Sequence, residues 1–310
     1  MNRREFVAGA ATIATAMSTK ALAIESTAGG VKIGLITSSL NPLPLIPGKT
    51  AAEVVIDQCL RMGVGNVELG SRFFGPAVKD VVAGRAPKIP TPDYLKTRDE
   101  QRQWCLSPDS LREFADARTR FERAGINLFS TSTTFFDDCT DAEIDAMFRQ
   151  MQALGIKVFQ TNQTRVPMAP RLAPAAEKYG ISPAFHPHAA VNDPNEVATP
   201  ESLAKVLAIS PIFRVCLDIG HFVAGNNDPV AYLRDHHDKI THIHVKDRKR
   251  DGGPNVAWGE GDTPIRECLQ LIRDKRWPII ALVEREYKGS GTPYEQTKAD
   301  FDTMREMLNA

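Results

Sequence analysis

Residues 214–247 read RVCLDIGHFVAGNNDPVAYLRDHHDKITHIHVKD and hold one complete strand–helix–strand unit. Arg214–Asp218 and Thr241–Val245 are apolar and too short for helices, as strands buried in a parallel sheet are. Between them, Asp228-Pro229 sets a capping residue before a proline at the first helical position. Working outward, the same alternation recurs. Further strands are expected at Val31–Ile36, Asn66–Leu69, Asn127–Ser130, Lys157–Thr161, Ser182–His186 and Ile279–Glu284.

Helix starts punctuate these runs. Thr50-x-x-Glu53, Thr140-x-x-Glu143 and Thr292-x-x-Glu295 are capping boxes. Ser107-Pro108, Thr199-Pro200 and Thr263-Pro264 repeat the cap-then-proline signature. Gly63, Gly125, Gly155 and Gly180 stand where helices end. The helix before Gly180 is the weakest, since Pro170 and Pro174 interrupt it. Eight strand-then-helix units at roughly 35 residues each predict a single-domain α/β fold, the (β/α)8 TIM barrel, over residues 24–310. A doubly wound open sheet is the alternative. It is weakened because no Gly-x-Gly-x-x-Gly or Walker loop follows the first strand. One connection is too long: residues 71–107, after the second strand, read as a lid insertion over the C-terminal face.

The first 23 residues read as an address. Arg3-Arg4-Glu5-Phe6, the apolar small-residue run Val7–Met17 and Ala21-Leu22-Ala23 follow the order of a twin-arginine signal peptide. Export by that machinery to the periplasm, with cleavage near Ala23, is the expectation. No run of 18 apolar residues is present, so no membrane-spanning helix is expected. The 38 Lys+Arg balance the 38 Asp+Glu, which argues against a nucleic-acid partner. The five cysteines are odd in number and lack a Cys-x-x-Cys, so neither a disulfide framework nor a zinc knuckle is read.

The chemistry gathers at late strand ends. His186-Pro187-His188, Asp218-Ile219-Gly220-His221, His242-Ile243-His244-Val245-Lys246-Asp247 and Glu284-Arg285-Glu286 close four consecutive strands. In a barrel these ends converge on one pocket. Five of the seven histidines lie there, and an imidazole–carboxylate set suits Mn, Zn, Co or Fe as one divalent ion. His236 and His237 follow a helix among charged residues and read as solvated.

The series Leu217-Asp218-Ile219-Gly220-His221, His244-Val245-Lys246-Asp247, Gly259-Glu260-Gly261-Asp262 and Val283-Glu284 resembles the xylose-isomerase-like barrels of the sugar phosphate isomerase/epimerase type. The resemblance implies metal ligands at Asp218, His244 and Glu284. The family's fifth-strand glutamate is replaced by His186, with His188 two residues on, and either could be the fourth ligand. This His-x-His form is similar to an often exported subgroup and to inosose dehydratase-like members. Glu284, His188, His221 and Lys246 are then expected in catalysis. His242, Asp247, Glu260 and Trp104 are expected to bind substrate. The implied reaction runs through an enediolate on a small, unphosphorylated sugar or keto-sugar. It is an isomerisation, an epimerisation, or a lyase step of the 3-keto-glycoside or inosose type. The epimerases of the family oppose two glutamates, and the histidine leaves Glu284 without a mirror partner. The alternative is a non-catalytic periplasmic sugar-binding barrel. An endonuclease IV-like phosphodiesterase is disfavoured, because no histidine precedes His186. Oligomeric state is left open.

Overall fold

The computed structural model describes residues 23–70, 73–79, 87 and 89–310. The expected signal peptide lies outside the described residues, apart from Ala23. Eight parallel strands form the barrel: β1 Val31–Ile36, β2 Asn66–Leu69, β3 Asn127–Thr131, β4 Val158–Gln160, β5 Ser182–Phe185, β6 Arg214–Asp218, β7 Ile240–Val245 and β8 Ile280–Val283. Their order is β3-β2-β1-β8-β7-β6-β5-β4. The seam between β3 and β4 closes through a parallel bridge between Ser132 and Gln160, with the Thr133 N–H donating to the Gln160 carbonyl at 2.8 Å. The (β/α)8 expectation holds, and each strand lies within one residue of its expected bounds.

Helices α1 Ala51–Met62, α2 Pro92–Leu106, α3 Pro108–Arg123, α4 Asp141–Leu154, α5 Ala169–Tyr179, α6 Pro200–Leu207, α7 Ile219–Ala224, α8 Pro229–His236, α9 Ile265–Lys275 and α10 Pro293–Asn309 accompany the strands. The three capping boxes are formed, and Gly63, Gly155 and Gly180 close their helices in the left-handed conformation that glycine tolerates best. α5 tolerates Pro170 in its first turn, where the missing N–H has no helical partner to lose, while Pro174 lies inside the helix. Phe159 of β4 packs edge-on against Phe148 of α4, with ring centroids 5.4 Å apart, so Phe159 points outward to the helices. Its strand neighbours therefore face the barrel interior. Thr140→Ala removes the α4 cap and is expected to lower stability by about 1 kcal/mol. Urea unfolding should show this as a lower midpoint at an unchanged slope.

The described part of the long insertion holds a helix that its sequence was not read to contain. Its second half is α2, which opens on the Thr91 cap and carries almost no amphipathic stripe. Arg98 is buried and pairs with Glu143 of α4 at 2.7 Å and with Asp138 at 3.0 Å. Phe74 stacks on Phe114 of α3 at 3.9 Å. These contacts tie Phe74 and α2 to the helical layer; the rest of the expected lid, 71–107, lies in part outside the described residues.

Candidate active site

The site is built by register. Asp218 and His244 are direct partners in the β6–β7 pairing, so both side chains leave the same face of the sheet. Glu284 follows β8 and donates its N–H to the Val245 carbonyl at 3.0 Å, which sets it level with the end of β7. His186 follows β5. The ligand atoms of His186, Asp218, His244 and Glu284 all lie within 4.8 Å of one another, and all four residues are buried. The His186 Nε2 stands 3.2 Å from the Asp218 Oδ2, and the His244 Nδ1 is 3.0 Å from the Glu284 Oε2. Both ring nitrogens of His186 lack a hydrogen-bond partner despite burial. An unpartnered His186 nitrogen, with His244 and the two carboxylates beside it, makes a donor set that fits a divalent metal. The Cys216 Sγ, beneath them, lies within the same span of His186 and His244; its sequence context had read only as core.

Lys246 is the hub of the charges. Its Nζ lies 2.7 Å from Asp218, 2.9 Å from Glu284 and 2.7 Å from Glu286. Burial works against its charge, but the three carboxylates outweigh that and raise its pKa. Burial likewise opposes the Glu284 charge, yet Lys246 and His244 hold that carboxyl down at about 2. Burial depresses His186 and His221 well below the ordinary imidazole range, helped by neighbouring cations and imidazoles. His188 follows in the same direction, for burial and Lys246. The rings of His188 and His186 are 4.8 Å apart, and those of His188 and His221 are 5.0 Å apart, so the three share one wall.

Glu68 of β2 is the residue that the sequence reading missed. It is fully buried, and its two oxygens are each 3.0 Å from the Nε2 of a β7 histidine, Oε1 from His244 and Oε2 from His242. A bulge between β2 and β3 leaves Phe129 unpaired, and its ring meets His242 edge-on at 5.1 Å.

Two expected substrate contacts, His242 and Asp247, are corrected. His242 lies deeper in the barrel than His244, between Glu68 and the Thr241 hydroxyl, and is fully buried, so it cannot reach the mouth. Asp247 is also buried. Its carboxylate accepts from the N–H groups of Gly259, Gly261 and Thr263, so it ties down the loop rather than meeting a ligand. Trp104 sits on α2 in the outer layer, donates to Glu113 at 3.1 Å and covers Gly75. It lines a cavity of about 530 Å³ with Phe74 and with Thr131 and Ser132 at the mouth end of β3, to one side of the histidine cluster. Glu260 is exposed on the loop that Asp247 anchors. A second cavity, of about 850 Å³, opens at the opposite end of the barrel beside Lys32 and Trp277. His236 is exposed and His237 stacks on Trp277, both remote from the site.

Residues 107–307 match the family profile described as the xylose isomerase-like TIM barrel. The chain belongs to that family. Among curated relatives, an inosose dehydratase from Clostridium tetani is 24% identical over 135 residues, covering 37% of this chain and 44% of that protein. The chain thus spans less than half the length of the relative it matches. Several solved structures share the fold. A sugar phosphate isomerase/epimerase from Parabacteroides distasonis superposes with a TM-score of 0.60 at 16% identity, over 93% of this chain and 97% of that one. The IOLI protein, solved with a binding zinc atom, gives 0.61 at 15%, over 89% and 97%. A 3-keto-D-glucoside 4-epimerase from E. coli gives 0.58 at 10%, over 89% and 99%. At these identities the likeness is one of fold, and the chemistry rests on this chain's own residues.

Proposed function

We propose that the chain is a divalent-metal-dependent sugar isomerase, epimerase or dehydratase acting on an unphosphorylated keto-sugar in the periplasm. The observation that carries this reading is the buried His186, Asp218, His244 and Glu284 quartet beside Lys246. These four residues would hold a divalent ion, which would supply Lewis acidity toward a substrate carbonyl oxygen. Glu284 is ionised at neutral pH. Its Oε2 carries the contacts to His244 and Lys246, so Oε1 is the oxygen to take the proton from the α-carbon. Lys246 stands ready to offset negative charge as it develops. His188 and His221 face the site as neutral imidazoles, able to donate to a substrate oxygen. With histidine in place of the family's opposed glutamate, elimination of water or isomerisation fits better than a symmetric two-carboxylate epimerisation.

The engagement of the mouth-loop arginines supports an unphosphorylated substrate. Arg165 faces Asp137, Asp193 and Glu196, Arg248 is bound to the Gly253 carbonyl, and Arg285 is spent on the carbonyls of Ser39, Asn41 and Tyr287. All three are engaged by carboxylates or main-chain carbonyls, which favours a substrate without a phosphate. The periplasmic setting rests on the signal-like residues 1–23, and a small carbohydrate is the partner the site requires. The test is metal analysis of the purified protein together with a turnover screen of inososes and 3-keto-glycosides against phosphorylated sugars. About one Mn, Zn, Co or Fe per chain and turnover confined to the unphosphorylated compounds are expected. A metal-free protein after reconstitution, or activity on sugar phosphates alone, overturns the reading.

A further inference from the structure

Arg248 follows β7 and forms a short antiparallel pair with Asn255 across the loop. Its guanidinium is clamped, with Nε 3.2 Å and Nη2 2.6 Å from the Gly253 carbonyl. This clamp aims Nη1 at the Nδ1 of His221, 2.5 Å away. Gly220, just before His221, makes the approach feasible: a Cβ there would stand 2.6 Å from the Lys246 Cγ and 3.3 Å from the Arg248 Cγ. A guanidinium has five donors and no acceptor. The Nδ1 of His221 is therefore the acceptor, and its proton must sit on Nε2. That nitrogen faces the site, 3.7 Å from the Asp218 Oδ2, on the wall shared with His188 and His186.

We infer that Arg248 is a positioning residue that fixes His221 as the Nε2–H tautomer, making it an obligatory hydrogen-bond donor to a substrate oxygen and barring it from acting as the proton-abstracting base. The donor role rests on the proposed sugar chemistry; the tautomer does not. A neutral imidazole in this form stabilises a developing oxyanion without transferring its own proton. The division of labour follows: proton abstraction falls to Glu284, and oxygen recognition to His221.

The experiment is long-range ¹H–¹⁵N correlation on histidine-labelled protein at neutral pH, with zinc-loaded wild type, Arg248→Met and Arg248→Lys. His221 in the wild type should show a bare Nδ1 and a protonated Nε2. Arg248→Met should lose that signature and give a tautomer mixture. Arg248→Lys restores one donor without the clamp on Gly253 and should recover the signature at least in part, which separates tautomer control from loop loosening. On any keto-sugar that the wild type turns over, Arg248→Met should lower kcat roughly 10–100-fold with a smaller change in KM, and the lysine variant should regain part of it. An Nδ1–H form in the wild type, or an unaltered spectrum in Arg248→Met, overturns the inference. If no keto-sugar is turned over while the spectra behave as expected, the proposed function fails and the tautomer assignment stands.

Discussion

His244→Ala is expected to emerge from purification without its metal. His244 supplies one of the two nitrogens of the quartet, and its other nitrogen is fixed by Glu68 at 3.0 Å. Removing an outer carboxylate of this kind typically costs 10–100-fold in metal affinity; deleting the ligand itself should cost more than about 100-fold. The change also strips a partner from each of two buried carboxylates, Glu68 and Glu284. Circular dichroism must therefore accompany the metal titration, to separate loss of site from loss of fold. Glu284→Gln is the informative companion. It keeps a ligand oxygen and the volume, so it should retain weakened metal binding while turnover falls about 10²–10⁴-fold, the usual worth of a positioned base. Undiminished metal binding in His244→Ala would move the metal away from the quartet altogether.

Much of this site was legible before the barrel was built, because a closed β/α barrel sends its strand ends to one place. His186, Asp218, His244, Lys246 and Glu284 each stand at the end of a recognisable strand, which brought them to one mouth, and the family resemblance singled out the ligands among them. Glu68 was illegible for the same geometric reason. It lies within a four-residue buried strand and is separated from His244 by 176 residues. Nothing in Asn66–Leu69 announces which strands face it across the barrel. Depth was misjudged at His242. Two residues along a strand amount to roughly 6–7 Å, so sharing a face with His244 puts it a layer below, not beside it. Asp247 failed differently: its partners are backbone N–H groups, which carry no side-chain signature. The α2 helix escaped because its surface is hydrophilic nearly all round. Its Thr91-Pro92 start was the same signal that marked four other helices.

Lys246→Met should reveal how the chain holds its carboxylates when no metal is bound. In the wild type one buried ammonium serves Asp218, Glu284 and Glu286. Methionine keeps the packing of the stem and deletes the charge, which leaves Asp218 and Glu284 buried with fewer compensating partners. Removing one member of a buried ion pair costs about 3–5 kcal/mol. For a chain of this size that is roughly a 5–8 °C fall in Tm for the metal-free protein. The two carboxylates freed are members of the metal quartet, so added zinc has more to offset in the variant than in the wild type. Zinc should accordingly raise the Tm of Lys246→Met by more than it raises that of the parent. The ammonium and the ion thus act on the same two oxygens, and differential scanning calorimetry with and without zinc reads their competition directly. Equal zinc-induced shifts in both proteins would mean that Lys246 and the metal do not share Asp218 and Glu284. A Tm unchanged by the substitution would mean that the three ion pairs contribute nothing to the fold, and that the lysine is kept in place for turnover alone.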